Sequence, residues 1–384
     1  MRLVHTADIH LDACFASLGA APGFGTRRRQ GLRDVLHLIV TRAREWPADA
    51  LLIPGDLFDH EYVTRDTVAF IRSEFEALGP TPVVIAPGNH DPYVHDSPYA
   101  TEPWPDNVFI FSQPAWSVQT FLEGRLVVHG FAFDGFDISS NPFGSLRIPG
   151  DEAVHVAVAH GTERAHQPPD GKTFAPFHAV DAEDDGLAYL ALGHFHAPVQ
   201  IEGDFNTCMY YSGAPEGHDF TETGPHYYIE VEIVDGAVQV RRVPSAQVAY
   251  TTCTIDCTGY DTAEQIVEAI QSHSESASLP QIARVMLVGF CPASVRSRIP
   301  GLPDAVEGEF EYLNLVDETR PIEDYQELAR ENTTLGAYVG KLNAEVEDAP
   351  DDARRCLAER AREVGVAAYR GQTPAIRGME LDGA

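Results

Sequence analysis

Five short apolar runs, each closing on side chains able to bind a cation, restrict this chain more than any other feature. They are "RLVHTAD", "ADALLIPGD", "PVVIAPGNHD", "VHVAVAHG" and "LAYLALGHFH". Each is strand-sized and rich in Val, Leu, Ile or Ala. None shows the polar–apolar alternation of a half-exposed strand, so each reads as a strand buried on both faces. Between them, "RRRQGLRDVLHLIVTRAREW" and "RDTVAFIRSEFEAL" carry apolar residues at helical spacing, Val35, Leu36, Ile39 and Val40 among them. Strands alternating with helices predict an α/β domain with buried sheets.

The polar residues at the ends of the runs matter as much as the runs themselves. The first run leads to Asp8 and His10, the second to Asp56, the third to Asn89 and His90, the fourth to His160, and the fifth to His194 and His196. Ligands of α/β sheets gather outside the carboxyl ends of the strands, where the loops converge. A polar cluster of this density is costly to bury unless water or metal satisfies it. Carboxylate, imidazole and amide oxygen without thiolate suit borderline divalent ions such as Mn²⁺, Fe²⁺ or Zn²⁺. Asp8, His10, Asp56, Asn89, His160, His194 and His196 are too many donors for one ion and suit two that share a carboxylate. Gly55, Gly88, Gly161 and Gly193 beside them allow the tight turns that bring the donors together.

Beyond the fifth run, "CMYYSGAPE" and "HYYIEVEIVDGAVQVRRV" read as added strands, with "VDGA" as a hairpin turn. "AQVAY" reads as another strand, and near Pro244 the register changes. "TTCTIDC", "TAEQIVEAIQSHS", "IARVMLVGF" and "GEFEYLNLV" then predict strand, helix, strand, strand. The division expected is a domain over 1–245, a small α/β cap over 250–318 and a helical tail over 319–384, frayed in "RGQTPAIRGMELDGA". No apolar stretch is long enough to span a membrane, and the N-terminus lacks the apolar core of an export signal. A cytoplasmic protein with its six scattered cysteines reduced is expected.

The formal net charge is −31, and Lys172 and Lys341 are the only lysines. Such a surface repels polyanions unless a basic stripe or bound cations reverse the field locally. Biased genome composition or a salt-adapted cytoplasm accounts for it equally well, so the charge neither establishes nor excludes a nucleic-acid substrate.

Taken together, DxH (Asp8, His10), GDxxD (Asp56, Asp59), GNHD (Asn89, His90), AHG (His160) and GHxH (His194, His196) resemble the motifs of the calcineurin-like metallophosphoesterases. Within that family the opening "MRLVHTADIHLD", the segment "PDNVFIF" and the later "YYSGAPEGHDF" are similar to the SbcD-type DNA repair exonucleases. The resemblance covers about residues 1–240. It implies a four-layer αββα sandwich carrying the cap and tail, in which the cap narrows the cleft. It further implies one metal on Asp8, His10 and His196, a second on Asn89, His160 and His194, and Asp56 bridging them, Mn²⁺ being the leading ion. His90 is implied as the catalytic acid beside the pair. Asp59 stands where many eukaryotic and archaeal relatives have histidine, and bacterial members often have Asp there. It is expected to orient a histidine rather than bind metal.

The function implied is hydrolysis of DNA phosphodiester bonds in repair, as an exonuclease and single-strand endonuclease. Hydroxide held between the metals would attack in line while an imidazole protonates the departing alkoxide. The same motifs serve enzymes acting on small nucleotides, cyclic nucleotides or phosphomonoesters, and a scaffold that regulates an ATPase is the non-enzymatic rival. The resemblance also implies an SMC-like ATPase partner of SbcC type, with the helical tail as a docking element, and a homodimer. Arg27, Arg28 and Arg29 are candidate contacts to DNA phosphates. Asp12 and Asp91 flank the site and read equally as turn caps. His129, His155, His178, His218 and His226 have no partner legible in the sequence.

Overall fold

A computed structural model describes residues 1–15, 23–166, 171–274 and 278–371. The chain opens with β1 (Arg2–His5), α1 (Phe24–Glu45), β2 (Ala50–Ile53), α2 (Arg65–Glu76), β3 (Val83–Ile85), α3 (Pro98–Thr101) and β4 (Val108–Ile110). Then come β5 (Ser117–Phe121), β6 (Leu126–Phe131), β7 (Val154–His160), β8 (Leu187–Gly193), β9 (Val199–Ile201), β10 (Cys208–Tyr211), β11 (Tyr227–Val234) and β12 (Ala237–Pro244). All five apolar runs are strands, namely β1, β2, β3, β7 and β8.

They lie in two six-stranded sheets. The first has the order β12-β11-β1-β2-β3-β4 and the second β5-β6-β7-β8-β10-β9. In the first sheet β1 to β4 run parallel, β11 pairs antiparallel with β1, and β12 pairs antiparallel with β11. In the second, β6, β7, β8 and β10 are parallel, flanked by antiparallel β5 and β9. The β11–β12 hairpin turns through Asp235 (φ 50°) and Gly236 (φ 80°), the two left-handed positions a tight hairpin requires.

Alternation within each strand sets the layers. Leu3, Leu52, Val84, Ile229 and Val231 face Leu126, Val128, Val156, Val158 and Tyr189 in one core between the sheets. The intervening residues Val4, Leu51, Ile53, Val83 and Ile85 are also buried, and the covering layer is helical. The stripes that bury are Leu32, Val35, Leu36 and Ile39 of α1 and Val68, Ile71 and Phe75 of α2. Thr64 caps α2 by accepting the Thr67 N–H at 3.2 Å. On the far side, Phe131, Ala157, Leu190, Leu192 and Met209 are sealed by Phe143, Leu146, Phe177 and Ala182. That outer layer is thin among the described residues, built from loops with 3₁₀ turns at Phe143–Ser145 and Ala179–Asp181. The architecture is thus the expected α/β sandwich of two sheets with covering layers.

The chain separates into two compact units, Met1–Thr251 with Ala277–Ala283, and Thr252–Ser276 with Arg284–Ala384. A three-stranded sheet ordered β13-β14-β16 is built from β13 (Ala249–Asp256), α4 (Ala263–Ser274), β14 (Gln281–Val288) and, after the short β15 (Phe290–Cys291), α5 (Ala293–Arg296) and α6 (Leu302–Ala305), β16 (Tyr312–Asp317). "AQVAY" and "TTCTIDC" therefore contribute to one strand. β17 (Arg320–Pro321) pairs in parallel with β15, and Arg320 lies 3.5 Å from Glu363. There follow α7 (Tyr325–Arg330), α8 (Thr334–Glu347) and α9 (Asp352–Tyr369), sealed by Leu328, Leu335, Val339 and Val366. Residues 372–384, where fraying was expected, lie outside the described residues. All six cysteines are free thiols, and no described helix is long and apolar enough to cross a membrane.

Candidate metal centre

The carboxyl ends of β1, β2, β3, β7 and β8 deliver their polar residues to one place. The backbone bends hard to do so. Asp8, His10, Asp12, Asp56 and His194 all adopt positive φ, between 49° and 105°, a region that costs any residue with a β-carbon. The β1 and β2 loops are zipped together by Asp8 N–H to Gly55 O (3.2 Å) and His10 N–H to Asp56 O (3.0 Å). Gly88 is required by space, since a β-carbon there would stand 2.3 Å from Asp56 Oδ1.

Two flanking aspartates hold this scaffold. Asp91 accepts from the N–H groups of Asp56, Leu57 and Gly88 and from the Tyr99 hydroxyl, at 2.7–2.9 Å, and so ties the β2 and β3 loops. Asp12 accepts from Thr64 and Thr67 at the start of α2. Both occupy turn- and cap-fixing positions.

Asp8, His10 and His196 bring one ligand atom each within 4.8 Å of one another, as do Asp8, Asp56 and His160. Asp56 Oδ2 lies 3.3 Å from His160 Nε2 and 3.7 Å from His10 Nε2, between imidazoles that the motif resemblance assigns to different ions. Asn89 Oδ1 is 3.0 Å from His160 Nε2, and the His194 ring packs against His160 with its centroid 5.3 Å away. The His194 N–H donates to Asp8 at 2.9 Å.

The proton inventory of the imidazoles fits a cation. Neutral imidazole carries one N–H. His160 gives its own, at Nδ1, to the Pro54 carbonyl (2.9 Å), so its Nε2 lone pair faces the oxygens of Asn89 and Asp56. His10 gives Nδ1–H to Asp59 (2.8 Å), and its buried Nε2 has no hydrogen-bond partner. Lone pairs converging on carboxylate and amide oxygens leave a space that positive charge satisfies. Burial pushes Asp8 above the usual carboxylate range. Burial also works to raise Asp56, but His160, His10 and His90 outweigh it and leave that group at about 2.

Asp59 lies beside the donor cluster, with one ligand atom within 4.8 Å of His10 and of His90. Its Oδ1 is shared by His10 Nδ1 at 2.8 Å and His90 Nδ1 at 3.2 Å. Despite burial, these two hydrogen bonds hold its carboxyl well below the usual range. The same contact, against burial and with help from Asp56, lifts His90 to about 9. The His90 side chain is 53% exposed, its ring edge-on to His10 at 4.8 Å, so it stands at the mouth of the cluster.

Sequence reasoning missed two residues here. Glu222 lies 2.6 Å from His196 Nδ1 and 3.0 Å from His218 Nδ1, and the His218 ring centroid is 5.2 Å from that of His10. Neither sits at a strand end. Burial would lower His196, yet the hydrogen bond and charge of Glu222, with Asp8 and Asp56, lift it to about 9.

One expectation is overturned. Arg28 is not a phosphate contact, because it is 2% exposed and its guanidinium meets Glu216 at 2.5 Å, between the rings of Phe15 and Tyr250. It falls on the buried stripe of α1, four residues from both Phe24 and Leu32. Arg27 is exposed, with its guanidinium over the Phe24 ring, and Arg29 is half-buried near Thr26.

A family model described as calcineurin-like phosphoesterase matches residues 1–198, more than half of the 384. The chain is similar to an uncharacterized metallophosphoesterase, YhaO, of Bacillus subtilis (strain 168), at 27% identity over 305 residues, covering 76% of this chain and 72% of that protein. Among solved structures it is similar to a dimetal phosphatase from Danio rerio, with a TM-score of 0.41 and 8% identity over 64% of this chain and 96% of that one. A second is TT1561 of Thermus thermophilus, with a TM-score of 0.36 and 14% identity over 63% of this chain and 98% of that one.

Proposed function

This chain belongs to the calcineurin-like phosphoesterase family, and from that premise we propose that it is a two-metal phosphodiesterase that hydrolyses DNA in the manner of the SbcD-type nucleases. The observation that carries the hydrolytic reading is the placement of His90. It is half-exposed, held by Asp59, and edge-on to a histidine whose inner nitrogen has no hydrogen-bond partner. Asp8, His10 and His196 would hold one divalent ion and Asn89, His160 and His194 the other, with Asp56 between them. When bound, such ions polarise phosphoryl oxygens and lower the pKa of water.

The remaining chemistry belongs to the side chains. Asp59 accepts the His90 Nδ1–H and so fixes the ring with Nε2 outward. Held near a pKa of about 9, His90 is protonated at neutral pH and can give its Nε2 proton to the alkoxide leaving the phosphorus. Mn²⁺ is the ion proposed, since no thiolate is present in the cluster.

The DNA reading is supported by the "YYSGAPEGHDF" segment, which carries part of the subgroup resemblance and contributes His218 beside His10. With that reading come a cytoplasmic location, an SMC-like ATPase partner of SbcC type and a homodimer. A second reading, hydrolysis of small nucleotides, cyclic nucleotides or phosphomonoesters, is favoured by the net charge of −31 and by the burial of Arg28, which removes one of three arginines from any phosphate track.

The two readings separate in one assay. Purified protein with Mn²⁺ is given end-labelled duplex and single-stranded DNA, bis-p-nitrophenyl phosphate and p-nitrophenyl phosphate, with Asp56→Ala and His90→Ala as controls. DNA degradation lost in both variants is expected. Turnover confined to the monoester would sink the DNA reading while sparing the family assignment.

A further inference from the structure

Beside the donor cluster, a loop from Ser212 to His226 is more elaborately built than a connection between β10 and β11 needs to be. It is fastened at four points. The Ala214 N–H donates to the His196 carbonyl at 3.0 Å, and the Ser245 hydroxyl to the Pro215 carbonyl at 2.6 Å. Arg28 holds Glu216 at 2.5 Å and the Gly217 carbonyl at 3.3 Å, while the other Glu216 oxygen takes the Gln247 N–H at 2.6 Å. The His226 ring bridges the Ala214 carbonyl (2.9 Å) and the Glu222 carbonyl (3.0 Å). Close to Glu222 itself, the Thr221 N–H and hydroxyl both donate to Asp219.

What this loop presents is one carboxylate with both oxygens committed. Oε1 takes His196 Nδ1 at 2.6 Å; Oε2 takes the His218 N–H and His218 Nδ1, each at 3.0 Å. The far nitrogen of His218 meets the Ile9 carbonyl at 3.3 Å, and Ile9 lies between Asp8 and His10. His196 needs such support. It follows the end of β8, and its side chain is 32% exposed. Its Nδ1 is claimed by Glu222, so Nε2 is the nitrogen left facing the cluster, 4.0 Å from Asp8 Oδ1.

We propose that Glu222 is the positioning residue of His196, delivered by the fastened Ser212–His226 loop, and that it sets the affinity of one of the two cation sites, the one formed with Asp8 and His10. The proposal rests on the two-metal reading above. It adds an asymmetry to it. His10 and His196 are each backed by a carboxylate, Asp59 and Glu222, whereas His160 is backed by the neutral carbonyl of Pro54. An anionic partner raises the basicity of an imidazole ligand more than a carbonyl does, so loss of Glu222 acts on one site and leaves the other alone. Both Glu222 oxygens already accept N–H groups of His196 and His218, which fits a positioning role.

The test is a calorimetric Mn²⁺ titration of metal-stripped wild type, Glu222→Gln, Glu222→Asp and Glu222→Ala, with the Mn²⁺ electron paramagnetic resonance signal recorded alongside. Thermal melts of the stripped proteins establish that each variant is folded. Wild type is expected to bind two ions with a spin-coupled signal. Glu222→Gln should lose about 10–100-fold in affinity at one site only and give an isolated-ion signal, with Glu222→Asp in between. Two ions held by folded Glu222→Gln or Glu222→Ala with wild-type affinities would overturn the role of Glu222 and leave the two-metal site standing. Wild-type protein that binds fewer than two ions would instead sink the two-metal reading, and this proposal with it.

Discussion

Arg28 and Glu216 stand 188 residues apart in the chain and meet at 2.5 Å, with 3% and 0% of their side chains exposed. Removing one partner of a buried pair strands the other without solvent or counter-charge. Arg28→Ala is therefore expected to cost roughly 3–5 kcal/mol of stability, whereas replacing exposed Arg27 with Ala should stay within about 0.5 kcal/mol. Urea unfolding of the two variants checks this. Equal midpoints would mean the ion pair contributes nothing.

Asp59 and His90 should fail in different ways. His90→Ala is expected to keep both ions and lose about 10²–10⁴-fold in turnover, the range of a positioned proton donor. Asp59→Asn weakens the orientation of His10 as well, so metal affinity drops about 10–100-fold. It also removes what raises His90. A donor must be protonated, so wild-type kcat is expected to fall as pH rises past the His90 pKa, and the fall should begin at lower pH in Asp59→Asn, which loses the contact that raises His90. The pH profile of kcat at saturating Mn²⁺ reads this directly, and an unmoved limb would refute the assignment.

His5 makes a separate pH prediction, for stability. It is fully buried, accepts from the Tyr189 hydroxyl at 2.8 Å at one nitrogen and donates to the Leu192 carbonyl at 3.2 Å from the other. Burial, against the help of that carbonyl, lowers it to about 3. Between the ordinary histidine value of 6.5 and about 3 the unfolded chain binds a proton that the folded chain refuses. Stability thus falls with falling pH across that window, by up to about 1.4 kcal/mol per unit. A His5→Gln variant should show a shallower slope in the same denaturant titrations. Parallel slopes would exclude His5 as the source.

Salt should stabilise this protein. A charge of −31 opposes compaction, and the screening length shrinks from about 10 Å at 0.1 M salt to about 3 Å at 1 M. The melting temperature is expected to rise with KCl over that range. A flat or falling melting temperature would mean that local pairing already cancels the repulsion.

The donor cluster is legible in the sequence because each donor sits at the end of an apolar run, and a run too apolar for a surface strand leaves its final polar residue only the sheet edge to occupy. β6 is harder. Its "LVVHGF" is buried throughout, yet it contains His129, whose burial rests on a 2.9 Å contact with His155 on the neighbouring strand, and no local pattern announces a cross-strand partner. Arg28 is misread from sequence although the signal is present, since its place four residues from Phe24 and from Leu32 puts it on the apolar stripe. Its charge masks its position. Glu222 leaves no such trace, because it acts through a loop whose path is decided by contacts distant in the chain, such as Glu216 with Arg28 across 188 residues.

The left-handed backbone at Asp8, His10, Asp12, Asp56 and His194 sets stability and chemistry against each other. Glycine at Asp8 or Asp56 relieves that conformation and removes a buried anion in the same stroke. Such a variant is then expected to outlast the metal-free wild type on heating. A selection for thermal endurance alone would therefore act against the strained backbone of this centre, whose conformation serves the chemistry rather than the fold.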